Sequence, residues 1–371
     1  MYYVVFVISV FILFWFGKRN IKNDWVCRFF IIIIFALGAF RDTCIGTDIM
    51  LYGGGDYYSL WKNPFHDFES DRLEYGFIIL TYILKKIYNS YYFYYGSLFI
   101  INFFLYYKVA KKINVNPAVF FAILFVTCDI TYSFNILRQM LGFSLGMFVF
   151  VCFQDKFVLN RASKRIINVL WYELFIFLIS VGFHYSIFVL ALLPLFIIPI
   201  IQKLLNKDVL LWGLLVSVVY IMAMYQDWIQ LALLGLQRIL KFGDRADFWM
   251  TQIEISDIEA SHGIGTTIIM GSLAILISKG RRDVYFYIGF VGFLLSNLAS
   301  VNLGIMGRVF LNYSLFLELY YSKIWFCIPN RKSEKIIFYS FKILLILFWA
   351  RAFYYGFIMV EDLSPYKSYL L

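Results

Sequence analysis

The residues of this chain with chemistry to offer are a few cations at the ends of long apolar runs. Arg41 follows the run 25–40, Arg138 sits at the start of 136–153, His184 follows 166–183, and Arg308 precedes 309–322. A guanidinium presents a planar fork of N–H donors that matches phosphate oxygens two at a time. An imidazole titrates or donates a hydrogen bond near neutral pH. Ionisable groups at hydrocarbon depth are costly, so they are functional candidates by default. Gathered at one membrane face, these four would make a pocket for an anionic headgroup. Three of them also have a plainer role open to them: snorkelling for Arg41, pairing with Asp129 for Arg138, and a hydrogen-bonded boundary position for His184.

Carboxylates supply the complementary chemistry. Asp48 lies in RDTCIGTDIMLYGGG, directly after the second apolar run, and is a candidate general base beside Arg41, with a solvated loop aspartate as the simpler reading. Asp67, Glu69 and Asp71 alternate as cation ligands would, but charged loops produce that spacing often, so no metal site is expected. The run EISDIEASH at 254–262 is equally unspecific. Glu173 and Glu318 fall inside apolar runs and are assigned structural roles. No GxGxxG, P-loop or HExxH occurs, which leaves nucleotide chemistry and zinc proteolysis unsupported and predicts no cofactor.

The elements that must position these groups follow from composition. Of 371 residues, 62% are apolar and 15% charged, against about 45–50% and about 25% in soluble domains. An ordinary soluble fold is excluded. Spans of about 20 residues each account for the excess as an all-α polytopic integral membrane protein with about twelve transmembrane helices. The candidate spans are 2–17, 25–40, 91–107, 116–130, 136–153, 166–183, 186–201, 208–224, 264–278, 284–301, 309–322 and 336–351. Residues 2–17 lack a basic leader and a small-residue cleavage site, so they read as an uncleaved span. No polar stretch is long enough for a soluble domain, and 1–371 reads as a single membrane domain. The cysteines are scattered without a CxxC pair, so neither disulfides nor zinc is signalled.

Orientation comes from Lys and Arg. Lys18, Arg19 and Lys22, then Lys108, Lys111 and Lys112, then Lys156, Arg161, Lys164 and Arg165 mark one set of connections. Lys203, Lys207, Lys279, Arg281, Arg282, Arg331, Lys332 and Lys335 continue it. The positive-inside rule makes that set cytoplasmic. It also accounts for the net charge of +10 without nucleic acid, which is not expected as a partner. The two longest loops, 41–90 and 225–263, hold most of the acid and fall outside, on the side of Arg41, Asp48, Arg138, His184 and Arg308. Within the first loop, 74–88 (EYGFIILTYILKKIY) has an apolar core too short to cross. It reads as an amphipathic helix on the outer surface with Phe77, Leu84 and Tyr88 near one face, and a thirteenth span is the alternative. The paired tyrosines read mainly as an interfacial belt, with sugar stacking by Tyr57 and Tyr58 as the functional alternative.

At these residues the chain resembles the Wzy and EpsG families of bacterial O-antigen and exopolysaccharide polymerases. The matching pieces are Arg41 with GTD at 46–48 and Tyr52, Glu74-Tyr75-Gly76-Phe77, Asn135-Ile136-Leu137-Arg138-Gln139, Phe183-His184-Tyr185-Ser186, and Gly307-Arg308. The resemblance implies a GT-C-like membrane glycosyltransferase of the bacterial inner membrane, with its active site facing the outside. The donor would be a glycan on undecaprenyl diphosphate, the acceptor a lipid-linked repeat unit, and a chain-length regulator protein a further partner in the bilayer. Carried over, Arg41, Arg138 and Arg308 would bind the diphosphate, and Asp48 or His184 would activate or orient the acceptor. The same site would also serve an O-antigen ligase. A lipid-linked oligosaccharide flippase would instead place charge at the bilayer midplane.

Overall fold

The computed structural model describes residues 2–15, 24–39, 74–127, 137–158, 162–224, 262–302, 304–327 and 332–352. Arg41, Asp48, Tyr57, Tyr58 and Asp129, with Asp67, Glu69, Asp71 and the run 254–261, lie outside them. Among the described residues the fold is thirteen α-helices and one 3-10 helix, with no strand.

The helices fall where the apolar runs are: α1 Tyr2–Trp15, α2 Asp24–Ala39, α3 Tyr75–Ile87, α4 Tyr91–Lys112, α5 Pro117–Val126, α6 Leu137–Phe157 and α7 Ala162–Gly182. A 3-10 helix Tyr185–Ile197 follows, then α8 Pro199–Leu205, α9 Asp208–Met224, α10 His262–Ser278, α11 Val284–Asn302, α12 Gly304–Ile324 and α13 Lys332–Ala352. Two of them, Leu137–Phe157 and Ser163–Gly182, are by themselves long and apolar enough to cross a membrane, or three if the broken pair 185–197 and 199–205 counts as one span. Five further apolar helices run to 10–17 residues.

The expected span 186–201 is not one straight α-helix. Pro194 inside it has no N–H to return to the Leu190 carbonyl. The tighter 3-10 winding takes over, the Tyr172 hydroxyl of α7 donates to that carbonyl at 2.6 Å, and a new helix starts at Pro199, where a missing N–H costs nothing. The turn before α5 shows the same local logic. Asn114 takes φ 59°, Val115 N–H closes on Ala110 O at 2.9 Å, and Asn116 caps the helix by accepting from Ala118 N–H at 2.9 Å, with Pro117 at its first position.

The described helices form two compact units, one from residues 1–194 with 321–371 and one from 195–320. In the first, every residue of α5 is buried, which an all-apolar helix requires. Its Phe121 and Phe125 meet Phe30 of α2 at 6.3 and 5.7 Å between ring centres, and Phe103 and Tyr106 of α4 meet Phe121 and Phe120. Helix α7 shows both environments: Tyr172, Ile176 and Ile179 face inward, while Ile167, Trp171, Leu174 and Leu178 stand 44–55% exposed in one stripe. An open apolar stripe of this kind marks a surface for lipid or for another protein. Glu173 is half-buried between the two.

In the second unit, Gly271 of α10 packs on Leu215 of α9, and Gly289 and Gly292 of α11 pack on Leu317 and Tyr313 of α12. Arg282 ties three segments together, bonding Asp208 at 2.6 Å, the carbonyls of Asn206 and Ile275 at 3.1 and 3.2 Å, and Ser278 Oγ at 3.1 Å. Asp283 then starts α11 by accepting from Tyr285 and Phe286 N–H at 3.0 and 3.2 Å.

The tyrosine pairs depart from the expected belt. Tyr94, Tyr95, Tyr106, Tyr320 and Tyr321 are at most 2% exposed. Core burial of a phenol needs a polar partner for its hydroxyl: Thr81 Oγ1 lies 3.0 Å from Tyr94 Oη, and Tyr320 donates to Arg281 O at 3.2 Å. The segment 74–88 is helical over 75–87, with Phe77, Ile78, Thr81 and Leu84 buried. Tyr88, expected on the same face, is 62% exposed. The opposite side, Tyr75, Ile79, Ile83 and Ile87, is also apolar and open.

Candidate functional site

Three of the short sequence pieces meet in the first unit. Glu74, in extended backbone at the N-cap of α3, makes no side-chain capping bond. Its carboxylate instead reaches Arg138, one residue into α6, and the two form a buried ion pair. The partner expected for Arg138 among plain structural roles was Asp129, which lies outside the described residues; Glu74 occupies that role. The positive end of α3 adds to the field holding this carboxylate.

A close backbone approach brings in the third piece. A Cβ on Gly76 would sit 2.5 Å from the carbonyl oxygen of Gly182 and 2.9 Å from its Cα. Only a residue without a side chain lets α3 and the end of α7 meet at that depth. Immediately after Gly182 come Phe183 and His184, and α6 holds this stretch from its other side. Gly142 and Gly146, one and two turns beyond Arg138 on the same stripe of α6, accept Phe183, Ile187 and Leu190 against their bare backbone. This small-residue spacing permits close helix approach in membranes. Glu74, Arg138 and the segment 183–190 are thereby fixed relative to one another by glycine contacts.

His184 is half-buried, and its tautomer follows from a backbone donor. Ser186 N–H points at Nδ1 at 3.2 Å, with Ser186 Oγ 2.7 Å from the same atom. A nitrogen that accepts from an amide carries no proton, so the neutral ring holds its hydrogen on Nε2. His184 is thus presented as a hydrogen-bond donor through Nε2–H, because the one basic lone pair of this tautomer, on Nδ1, is engaged by Ser186.

Arg308 lies in the first turns of α12, in the second unit, and its side chain is outside the described ones. Arg41 and Asp48 also stand outside the described residues. The site is therefore seen through Glu74, Arg138 and His184. Of these, Glu74 enters the sequence reading as one acid of an outer loop and as part of the Glu74-Tyr75-Gly76-Phe77 piece, with no site role assigned to it. Its place directly before an apolar helical run was a usable signal, as was GFSLG at 142–146. Lys342 of α13 was also passed over: it is 4% exposed, with Nζ 4.7 Å from the ring centres of Trp325 and Phe338, and it donates to the Trp325 carbonyl. That cation–π setting anchors α13.

Neither a curated protein nor a solved structure matches the chain. A family model, EpsG family, matches residues 24–368, which takes in all five of the sequence pieces and nearly the whole length. On that match the chain, all-helical among its described residues and with apolar helices suited to a membrane, belongs to the EpsG family, a family of Wzy-like polysaccharide polymerases.

Proposed function

We propose that this protein is a membrane-embedded polysaccharide polymerase that transfers a growing glycan from undecaprenyl diphosphate to a lipid-linked repeat unit, at the outer face of the bacterial inner membrane. The observation that carries the reading is the buried Glu74–Arg138 pair, locked beside Phe183 and His184 by the Gly76–Gly182 approach, in a chain of the EpsG family. In this reading the twelve apolar runs are spans of a GT-C-like bundle, and the short helix α3 lies at the outer surface. At 1.5 Å per residue its 13 residues cover about 20 Å, less than the hydrocarbon thickness of about 30 Å.

The chemistry is glycosyl transfer. The acceptor hydroxyl oxygen attacks the anomeric carbon of the donor, the bond from that carbon to the diphosphate oxygen breaks, and its electron pair leaves with undecaprenyl diphosphate. The hydroxyl proton passes to a base. Negative charge grows on the leaving oxygen, and fixed donors aimed at it lower the barrier most. Arg138, with Arg41 and Arg308, supplies guanidinium donors there. His184, presenting Nε2–H, donates to a diphosphate or sugar oxygen, which leaves Asp48 as the proton acceptor of the two candidates.

Separate alanine substitutions at Arg138, Arg308 and His184 test the site. Each should abolish long glycan chains while the protein remains membrane-inserted, and normal chain-length ladders in all three would sink the assignment. A deletion strain tests the activity: single-repeat glycan on its lipid is the expected product, whereas accumulation of unligated lipid-linked polymer would make the protein a ligase.

A further inference from the structure

Glu74 sets a charge constraint on this site. A guanidinium already paired with a carboxylate is nearly neutral toward an incoming diphosphate, and the carboxylate repels it. The two side chains are not equally accessible: that of Arg138 keeps 10% of its surface exposed and that of Glu74 only 3%. The arginine is therefore the more accessible member of the pair, the one an incoming ligand would meet first. Glu74 cannot drift away, because Phe77 and Ile78 N–H bind its carbonyl at 3.1 and 3.2 Å and Gly76 is seated on Gly182.

We propose that Glu74 is a positioning residue that holds Arg138 in the empty site and competes with the lipid diphosphate for its guanidinium in each turnover. The inference rests on the reading that Arg138 binds diphosphate. A buried arginine without a counterion is strongly disfavoured, so Glu74 keeps the guanidinium in place between substrates. When the glycan is transferred, the lipid diphosphate gains a terminal ionisable oxygen that the glycosylated donor lacks. The product is then the more anionic ligand and would hold Arg138 harder than the substrate did. A resident carboxylate offsets this and speeds product release.

The test uses purified full-length protein in detergent micelles with undecaprenyl diphosphate as the probe. A charge-assisted hydrogen bond is worth about tenfold or more in an equilibrium constant, so Glu74→Gln should bind the probe about tenfold tighter. Its KM for donor and its kcat should both fall, a split that simple loss of folded protein does not produce. Arg138→Gln should lose probe affinity, and Glu74→Gln added to Arg138→Gln should gain nothing. Unchanged or weaker binding by Glu74→Gln, with Arg138→Gln still impaired, overturns the role of Glu74 and leaves the diphosphate reading standing. Unchanged binding by Arg138→Gln overturns both. If Glu74→Gln yields no monodisperse protein, Glu74→Asp decides the matter: a smaller gain in affinity with reduced kcat supports the competition, and wild-type affinity refutes it.

Discussion

Replacing Gly76 by alanine is a minimal perturbation with an effect that can be worked from distances. The added Cβ would lie 2.5 Å from Gly182 O and 2.9 Å from both its carbonyl carbon and Cα, where ordinary contacts begin at 3.4 Å. The opposing atoms are backbone of α7, so α3 must retreat by about 0.9 Å, the difference between 2.5 and 3.4 Å. Overpacking of this kind costs about 1–3 kcal/mol. The retreat also pulls Glu74, two residues away, off Arg138, and a charge-assisted bond contributes about 1.5–3 kcal/mol. Together these cost about 2.5–6 kcal/mol, which is large against the about 5–15 kcal/mol that holds most domains folded. A shift of about 1 Å at a positioning element can lower turnover about a hundredfold. Gly182→Ala is the internal control, since its Cβ would stand 3.7 Å from Gly76 Cα, in ordinary contact. Thermal melting of both variants in detergent, with chain-length ladders from complemented cells, measures the pair. Gly76→Ala should melt well below wild type and make few long chains, and Gly182→Ala should be near wild type in both. Equal behaviour of the two, or a worse Gly182→Ala, would refute the interlocked-glycine reasoning.

Other predictions concern the second unit and the orientation. Arg282→Ala removes bonds to two carbonyls, Ser278 and Asp208 and should cost about 1.5–3 kcal/mol in a melt. Lys279→Ala removes only a 3.8 Å contact from a side chain 75% exposed and should change stability by less than about 0.5 kcal/mol; a larger loss for Lys279→Ala than for Arg282→Ala would contradict the geometry. A cysteine introduced at Gly54 should react with an impermeant thiol reagent added outside intact spheroplasts, and labelling only after permeabilisation would reverse the orientation.

Helix positions were legible in the sequence because each is a local property. An apolar run such as 208–224 coincides with α9 residue for residue, since backbone hydrogen bonding within a helix needs no distant partner. Pro117 and Pro199 open helices for the same local reason, although the apolar run 186–201 passes straight through Pro199 and gives no sign of the break. Pro194 was equally visible, but hydropathy carries no information about winding, so the 3-10 stretch around it was read as an ordinary span. The tyrosines mislead similarly: amphipathic side chains suit an interface and a core alike, and only the arrival of Thr81 beside Tyr94 or the Arg281 carbonyl beside Tyr320 decides between them.

Among the site residues, Arg138 and His184 stood out in the sequence because charge at the edge of an apolar run is expensive and therefore conspicuous. The choice of carboxylate for Arg138 was not there to be read. Asp129 is near it in the chain, whereas Glu74 lies 64 residues away and reaches it only because Gly76 lets α3 sink onto the backbone of α7 while Gly142 and Gly146 hold the other side. Composition and periodicity settle which segments are helices and which groups are costly, since both depend on each residue's own hydration and hydrogen bonding. Which charge neutralises which depends on contacts between distant segments, and those exist only once the helices have packed.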